Sequence, residues 1–191
     1  MEVKKDAYKN GNILYLRPYF NGVRHGLQQT FVDGGRLSQM TEMLDDTGEN
    51  WDYHEFHNTG GLSFRMPIRN RKRHGVCLCW SEEGVLIRKQ EWNDDELHGI
   101  HTDWYPNGQK KTEITYIRGE FHGIHTEWYP NGQKKKECAY LHGDRNGMLT
   151  EWNEQGDVTS TTYYVKDSPV IVSPATVSPA TVSPANESGS A

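Results

Sequence analysis

Histidine side chains recur in this sequence at a fixed interval, and histidine can bind a metal ion or transfer a proton. His74, His98 and His122 form one series with a spacing of 24 residues, and His101 and His125 form a second series with the same spacing. One metal ion needs several ligand atoms roughly 2 Å away, whereas equivalent residues of successive two-stranded units lie roughly 10 Å apart. The spacing therefore predicts histidines that stabilise turns and strands, with no metal site and no cofactor.

The chain has three cysteines, whose thiols could bind a metal or act as nucleophiles: Cys77, Cys79 and Cys138. The Cys77–Cys79 pair has no second C-x-C pair with which to complete a zinc site of three or four ligands. An odd number of cysteines also fits no disulfide framework. We interpret them as reduced thiols of an intracellular protein, with Cys77 and Cys79 projecting from one face near His101.

Acidic residues form a third regular series, and paired carboxylates can act as general acid and base when they are buried and close together. Asp103, Glu127 and Glu151 are spaced by 24 residues, with Glu113 and Glu137 on the adjacent strands. Because lysines accompany them, salt bridges across strands explain these carboxylates better than catalysis does. The chain also has no G-x-S-x-G, P-loop or H-E-x-x-H motif. We therefore expect a protein that is not an enzyme.

All three series belong to one internal repeat, and such a repeat determines the fold class. Its clearest copies contain the octapeptide WYPNGQKK, which occurs at residues 104–111 and again at 128–135. The period of 24 residues is marked by four tryptophans, Trp80, Trp104, Trp128 and Trp152, each followed four positions later by glycine. Phe31 and Phe56 take the tryptophan position earlier in the chain, with one inserted residue between them. About seven units, the first truncated, cover residues 7–166.

Each repeat contains two turn signals separated by stretches with the length of a strand. Pro-Asn-Gly predicts a type I turn with a left-handed glycine, which makes a three-residue hairpin loop. Glycine-rich segments such as RGEFHG (118–123) predict the reverse turn. The segment LSQMTEMLDD (37–46) could form a helix, but its phase in the repeat predicts a strand.

These signals predict an all-β fold, an elongated antiparallel β-meander of about seven 24-residue hairpin repeats in a single twisted sheet. The repeat domain covers residues 1–166. Residues 167–191 contain the repeated motif SPATV and form a predicted disordered tail rich in Pro, Ser and Thr.

The three-residue loop also predicts which side chains share a face of the sheet. Its register pairs Thr102 with Thr112 and Ile100 with Ile114. One face is then apolar and carries Ile100, Trp104, Ile114 and Tyr116. The other face is polar and carries His101, Asp103, Tyr105, Lys111 and Glu113. The apolar face needs cover, which coiling of the sheet, a homodimer or another partner could each provide.

The predicted polar face combines aromatic and charged side chains, as protein-recognition surfaces do. The six candidate protein-binding residues are Tyr105, Tyr129, His101, His125, Asp103 and Glu127. The alternative is that tyrosine occurs here because it favours β-strands. The tryptophan series belongs to the core in this interpretation, although an exposed series could also serve for docking.

The charge distribution bears on two other classes of partner. A net charge of −5 argues against nucleic acid. A membrane surface is the second candidate partner, because each basic side chain near anionic headgroups contributes ~1 kcal/mol. The lysines that would contact headgroups are Lys110, Lys111, Lys134, Lys135 and Lys136. The chain shows no apolar signal-peptide region and no membrane-spanning stretch, so we expect a cytoplasmic protein.

Two segments resemble a known family. GEFHGIHTEWYPNGQKKKECAY (119–140) and LHGIHTDWYPNGQKKTEITY (97–116) resemble the MORN repeats, and more closely their shorter variant in bacterial YwqK-family antitoxin proteins. The resemblance implies an elongated β-meander without enzymatic activity, acting as an antitoxin or immunity-type partner. Related repeats imply two alternatives, a membrane-apposed scaffold and a virus-encoded protein that binds a host or particle protein. The resemblance weakens at residues 45–75, where the segment ENWDYHEFHNTGG (49–61) carries the inserted residue and lacks the His-Gly pair.

Overall fold

The computed structural model describes residues 1–45 and 47–170, and these residues form a single open antiparallel sheet. Its strands are β1 (Glu2–Ala7), β2 (Ile13–Phe20), β3 (Val23–Arg24), β4 (Leu27–Phe31), β5 (Leu37–Met43), β6 (Trp51–Phe56), β7 (Leu62–Arg69), β8 (Lys72–Arg73), β9 (Gly75–Trp80), β10 (Leu86–Asn93), β11 (Glu96–Leu97), β12 (Gly99–Trp104), β13 (Lys110–Ile117), β14 (Glu120–Trp128), β15 (Lys134–Leu141), β16 (Asp144–Trp152), β17 (Val158–Val165) and β18 (Ser168–Val170). The long strands pair in chain order, from β1 with β2 to β17 with β18. The two-residue strands β3, β8 and β11 pair with the strand before them, which also pairs with the strand after them. The predicted all-β meander is confirmed.

The segment 37–46 and the C-terminal tail are the subject of specific predictions. The segment at 37–46 contains β5, as its phase in the repeat predicted. Residues 171–191, which make up most of the predicted tail, lie outside the described residues. No helix in the described part of the chain has the length and hydropathy needed to cross a membrane.

Two kinds of tight turn connect the strands. At the first WYPNGQKK segment, the Tyr105 N–H donates to the carbonyl oxygen of Gln109 at 2.8 Å, and Gly108 has a φ of 83°. This is the predicted three-residue loop with a left-handed glycine. The reverse turns have positive φ at both central residues, for example 52° at Arg118 and 80° at Gly119. That is the type I′ geometry favoured by two-residue hairpins.

A β-bulge beside the Pro-Asn-Gly turn makes the predicted register wrong. Trp104 pairs with Lys110, but Asp103 pairs with Thr112, so Lys111 is an extra residue in β13. Beyond it, Thr102 pairs with Glu113 and not with Thr112. A shift of one residue moves every following side chain of a strand to the opposite face, so the predicted division into an apolar and a polar face is wrong.

The observed register defines two mixed faces. The first, which we call the histidine face, carries His101, Asp103, Ile114 and Tyr116. The second, which we call the tryptophan face, carries Ile100, Thr102, Trp104 and Glu113. The same exchange recurs in the next repeat, where Cys138 pairs with His125 and therefore lies on the histidine face.

The core of the sheet is a single column of side chains on the histidine face. Among the described residues, the buried apolar side chains are Met66, Cys77, Ile114, Cys138 and Leu149. Cross-strand pairs join Cys138 to both His125 and Leu149. On the tryptophan face, by contrast, Ile100 is 45% and Ile124 is 54% exposed. The protein therefore shields its apolar groups mainly on one face.

Four glycines that follow a histidine or asparagine lie opposite an aromatic residue of the next strand. The pairs are Gly75 with Trp92, Gly99 with Tyr116, Gly123 with Tyr140 and Gly147 with Tyr164. These glycines have positive φ, which residues with a side chain rarely adopt. An aromatic ring opposite a glycine compensates for the missing side chain, which explains the spacing between this glycine and the last tyrosine of the repeat.

Replacing Gly147 with alanine is expected to destabilise the sheet. A Cβ at this position would lie 2.9 Å from the Cβ of Ala139, and the φ of Gly147 is 135°. Because a methyl group has no rotamer by which to move away, we expect a loss of about 2–3 kcal/mol in the free energy of unfolding. Urea denaturation measures this loss.

Gly143→Ala is the matched control, since Gly143 has a φ of 87° but no atom within 4 Å of an added Cβ. It should lose only about 1 kcal/mol, the cost of the left-handed conformation. Equal losses for the two variants would contradict the steric role of Gly147.

Candidate functional site

Four of the six predicted binding residues share the histidine face. His101 and Asp103 lie on β12, and His125 and Glu127 occupy the equivalent positions on β14. Thr112 pairs with both Asp103 and Glu127, so one residue separates the two acidic side chains across the sheet. The structure therefore brings these four residues into one surface. The sequence predicted this, because alternate residues of a strand, and residues at the same position of successive repeats, project from the same face.

Asp103 is the centre of an ionic network that the sequence did not reveal. The Arg88 Nε donates to Asp103 Oδ1 at 2.7 Å, and the His101 Nε2 lies 3.1 Å from the same oxygen. Gln90 Nε2 lies 3.4 Å from His101 Nδ1 and orients the ring. Burial of the carboxyl opposes its ionisation, but the hydrogen bonds from His101 and Arg88 outweigh burial and lower the Asp103 pKa to about 2. Asp103 is thus a permanent anion at neutral pH.

The equivalent network in the next repeat is weaker. His125 Nε2 lies 3.0 Å from Thr112 Oγ1, and its distance to Glu127 Oε1 is 3.9 Å. Burial of the ring lowers the His125 pKa, with the Glu127 charge acting in the opposite direction. His125 therefore presents a neutral imidazole at neutral pH, held by a threonine hydroxyl.

Tyr105 and Tyr129 have a structural role that the sequence did not predict. The Tyr105 hydroxyl donates to the carbonyl oxygen of Trp128 at 2.8 Å, and the Tyr129 hydroxyl donates to that of Trp152 at 2.9 Å. Each tyrosine thus connects its own turn to the next hairpin by a hydrogen bond from its hydroxyl group. Their rings remain half-buried, so the hydroxyl is used for structure while part of the ring faces solvent.

The five predicted lipid-binding lysines do not form one surface. Lys110 and Lys134 lie on the tryptophan face, where they pair with Glu113 and Glu137. Lys111 and Lys135 lie over the rings of Tyr105 and Tyr129, at 5.9 and 6.0 Å from the ring centroids. Lys136 pairs across strands with Glu127 and Glu151 on the histidine face. Most of these ammonium groups are thus engaged with carboxylates or aromatic rings of the protein.

Two equivalent depressions lie one repeat apart, beside Asp103 and Glu127 of the histidine face. The first has a volume of about 420 Å³ and is lined by Cys79, Ile87, Arg88, Asp103, Trp104, Pro106 and Lys111. The second has a volume of about 250 Å³ and is lined by Tyr105, Lys111, Thr112, His125, Glu127, Trp128 and Lys135. Each depression therefore offers a carboxylate, an ammonium group and an aromatic wall. Arg88 and Thr112 were not predicted, because only the bulged register places them beside the candidate residues.

The two cysteines of the C-x-C pair lie beside the first depression. Cys77 is buried and Cys79 is half-buried. A hydrogen bond from the Cys77 thiol and the nearby Arg88 charge lower the Cys79 pKa to about 7, while the pKa of Cys77 is raised. In the part of the chain that the structure describes, no three His, Cys, Asp or Glu side chains converge as a metal site requires.

Comparison with known proteins supports the repeat assignment over part of the chain. Residues 97–118 and 121–142 match the family model described as MORN repeat variant. No curated protein matches this chain. Among solved structures, the chain is similar to one titled "Crystal Structure of TarM", with 9% sequence identity, a TM-score of 0.38 and coverage of 56% of this chain. This protein spans 20% of that chain. The repeats at residues 97–142 are thus similar to MORN repeat variants, a class of binding repeats.

The Asp103 network predicts a pH-dependent contribution to stability. The folded pKa of about 2 lies below the ordinary value of 3.8, so the ionised carboxylate stabilises the fold above about pH 4, and this contribution is lost as the pH falls toward 2. Asp103→Asn should therefore lower the melting temperature at pH 7, and the difference from the wild type should disappear near pH 2.

Glu82→Gln removes the same charge from an exposed turn and serves as the control. It should leave the melting temperature nearly unchanged over the same pH range. A difference between wild type and Asp103→Asn that does not depend on pH would contradict the role assigned to the Asp103 charge.

Proposed function

We propose that this protein is a non-enzymatic binding module that recognises another protein with its histidine face. The observation that carries the proposal is the repetition of equivalent depressions, each with an acidic group, a lysine and an aromatic side chain. Because two strands separate them, the depressions lie roughly 10 Å apart. A partner can therefore be contacted at regular intervals along the sheet.

The chemistry of this face suits protein recognition. Tyr105 and Tyr129 supply partly exposed rings whose hydroxyls are already bound to the backbone, so little side-chain freedom is lost on association. His125 supplies a neutral imidazole, and Asp103 a carboxylate held by Arg88. Preorganised aromatic and charged groups of this kind dominate the energy of protein interfaces.

The more specific version of the proposal is an antitoxin or immunity-type partner. Its mechanism would be occlusion, in which the sheet covers the active surface of another protein. The support for this version is the resemblance of residues 97–116 and 119–140 to the antitoxin repeats. A virus-encoded repeat protein that binds a host or particle protein would use the same face.

The alternative of a membrane-apposed scaffold has less support. Binding to anionic headgroups needs lysines that reach one plane, whereas Lys134 and Lys135 lie on opposite faces of the sheet. Lys134 pairs with Glu137, and Lys135 lies 3.8 Å from Glu127 Oε2. The net charge of −5 also opposes an anionic surface.

The adjacent lysines allow the two functions to be separated by matched variants. Lys135→Glu changes the histidine face, and Lys134→Glu changes the tryptophan face by the same charge. If the histidine face binds a protein, Lys135→Glu should reduce recovery of that protein from the native cell at least about tenfold, because a like charge would face Glu127. Lys134→Glu should leave recovery unchanged. Affinity capture with quantitative mass spectrometry measures both.

Co-sedimentation with vesicles of anionic phospholipid tests the alternative function, because it measures binding of the protein and its two variants to a membrane surface. Salt-sensitive vesicle binding that both lysine variants weaken equally would favour the membrane scaffold and contradict the proposal. Equal loss of the protein partner in both variants would contradict the assignment of the binding face. Melting temperatures of the two variants show whether either substitution acts through stability.

A further inference from the structure

The histidine face contains a third cavity near the start of the sheet, separate from the depressions of the binding surface. Its main part has a volume of about 360 Å³ and is lined by Val23, Arg24, Gln28, Thr41, Met43, Thr47, Gly48 and Trp51. A smaller part of about 130 Å³ shares Arg24, Gln28 and Thr41 and adds Arg17, Thr30 and Gln39. The main part alone has the size of a small-molecule site.

The cavity exists because this repeat departs from the others. In later repeats, the central column of the histidine face is filled by apolar side chains such as Ile114 and Cys138. The residue of the column that corresponds to Ile114 is Thr41 here, and it pairs with Gln28, so both members of the pair are polar. Thr47 and Gly48, in the connection between β5 and β6, close one side of the cavity. Gly48 contributes to this wall, because a Cβ there would lie 3.6 Å from Val23 Cγ1.

Gln28 is a buried polar residue of the cavity whose side-chain nitrogen lacks a partner. Its side chain is only 7% exposed, and its Nε2 makes no hydrogen bond to any residue that the structure describes. A buried amide donor without an acceptor costs free energy. Gln28 lines both parts of the cavity, so a small shift of its side chain toward a hydrogen-bond acceptor of a ligand would give the buried Nε2 a partner and remove that cost.

The charges around the cavity indicate the chemistry of the ligand. Arg17 and Arg24 line it, and neither guanidinium pairs with a carboxylate of the described residues. Arg17 instead lies over the ring of Tyr15, at 4.1 Å from the ring centroid. Six other arginines of the sheet do pair with carboxylates: Arg65, Arg69, Arg71, Arg73, Arg88 and Arg145. Two unpaired guanidinium groups beside a free amide donor form a site for an anion.

Part of the lining is apolar. Val23, Met43 and Trp51 line the main part of the cavity, and Met43 pairs with Trp51 across β5 and β6. Thr47, which also lines the cavity, is held by a hydrogen bond from its N–H to Asp45 Oδ1 at 3.0 Å. The cavity therefore combines anion-binding groups with an apolar surface.

We propose that this cavity binds a small organic anion, with its carboxylate or phosphate group toward Arg17, Arg24 and Gln28 and its apolar part against Met43 and Trp51. The site is independent of the proposed protein-binding surface, whose depressions lie at Asp103 and Glu127. The protein would thus recognise a small molecule in its N-terminal hairpins and a protein in its later hairpins.

The proposal can be tested with three defined probes on the full-length protein labelled with ¹⁵N. The acid 3-phenylpropionate carries both the anion and the apolar ring. The amide 3-phenylpropanamide has the same shape without the charge, and inorganic phosphate has the charge without the ring. Titrations follow the Gln28 side-chain amide and the Trp51 indole N–H by NMR. We expect 3-phenylpropionate to bind at least about tenfold more tightly than either other probe.

Variants then assign the binding to the named residues. Arg24→Gln should weaken 3-phenylpropionate binding about tenfold, to the level of the amide, and Gln28→Leu should weaken it as well. The matched control is Arg118→Gln, which removes an exposed guanidinium from a reverse turn far along the chain. Backbone spectra show whether each variant remains folded, and because Arg24 is exposed, its substitution does not disturb a buried position.

Three results would overturn the proposal. Equal affinities for the acid and the amide would show that the arginines do not recognise charge. Equal weakening by Arg24→Gln and Arg118→Gln would show that the anion is attracted by overall charge and not by this cavity. No response of the Gln28 and Trp51 signals to millimolar 3-phenylpropionate would show that the cavity does not accept this class of ligand.

Discussion

The described residues form one sheet without a second layer, so their apolar side chains are shielded only by neighbours on the same sheet. Ile114, Cys138 and Leu149 are buried in this way, because residues that pair with them on the adjacent strands cover them. Such a core works only if apolar residues of successive strands meet in one column. A bulge such as the one at Lys111, which recurs in the next two hairpins, keeps that register together with the positive-φ glycines.

Contacts between turns extend the same constraint along the sheet. The Asn107 Nδ2 donates to the carbonyl oxygen of Pro130 at 2.8 Å, parallel to the bond from Tyr105 to Trp128. On the opposite edge, the Gly119 N–H donates to the carbonyl oxygen of Leu97 at 2.8 Å. In the described residues, these bonds join each hairpin to the next one along the chain, as in other repeat proteins. A repeat can then change its exposed residues without changing the architecture of the rest.

That independence explains how different hairpins can present different chemistry. In the later repeats the histidine face combines Arg88, Asp103 and His101 above an apolar column, and the result is shallow depressions suited to a protein partner. In the earliest repeats the column is polar at Gln28 and Thr41, and the result is a cavity beside two unpaired arginines. The two proposed sites differ because the residues of one column differ, while the strands around them are the same.

The sequence by itself determined the all-β fold, the period of 24 residues, the two kinds of turn and the phase of the histidine and acidic series. These features depend on the conformational preferences of single residues, such as glycine at positive φ and proline in a turn, and such preferences can be read directly from the sequence. Which side chains of paired strands share a face was decided only by the tertiary structure. The bulge at Lys111 depends on hydrogen bonds between strands, and no local preference signals it. The placement of Ile114 beside His101, the Arg88–Asp103 pair and the cavity at Gln28 all follow from that cross-strand register.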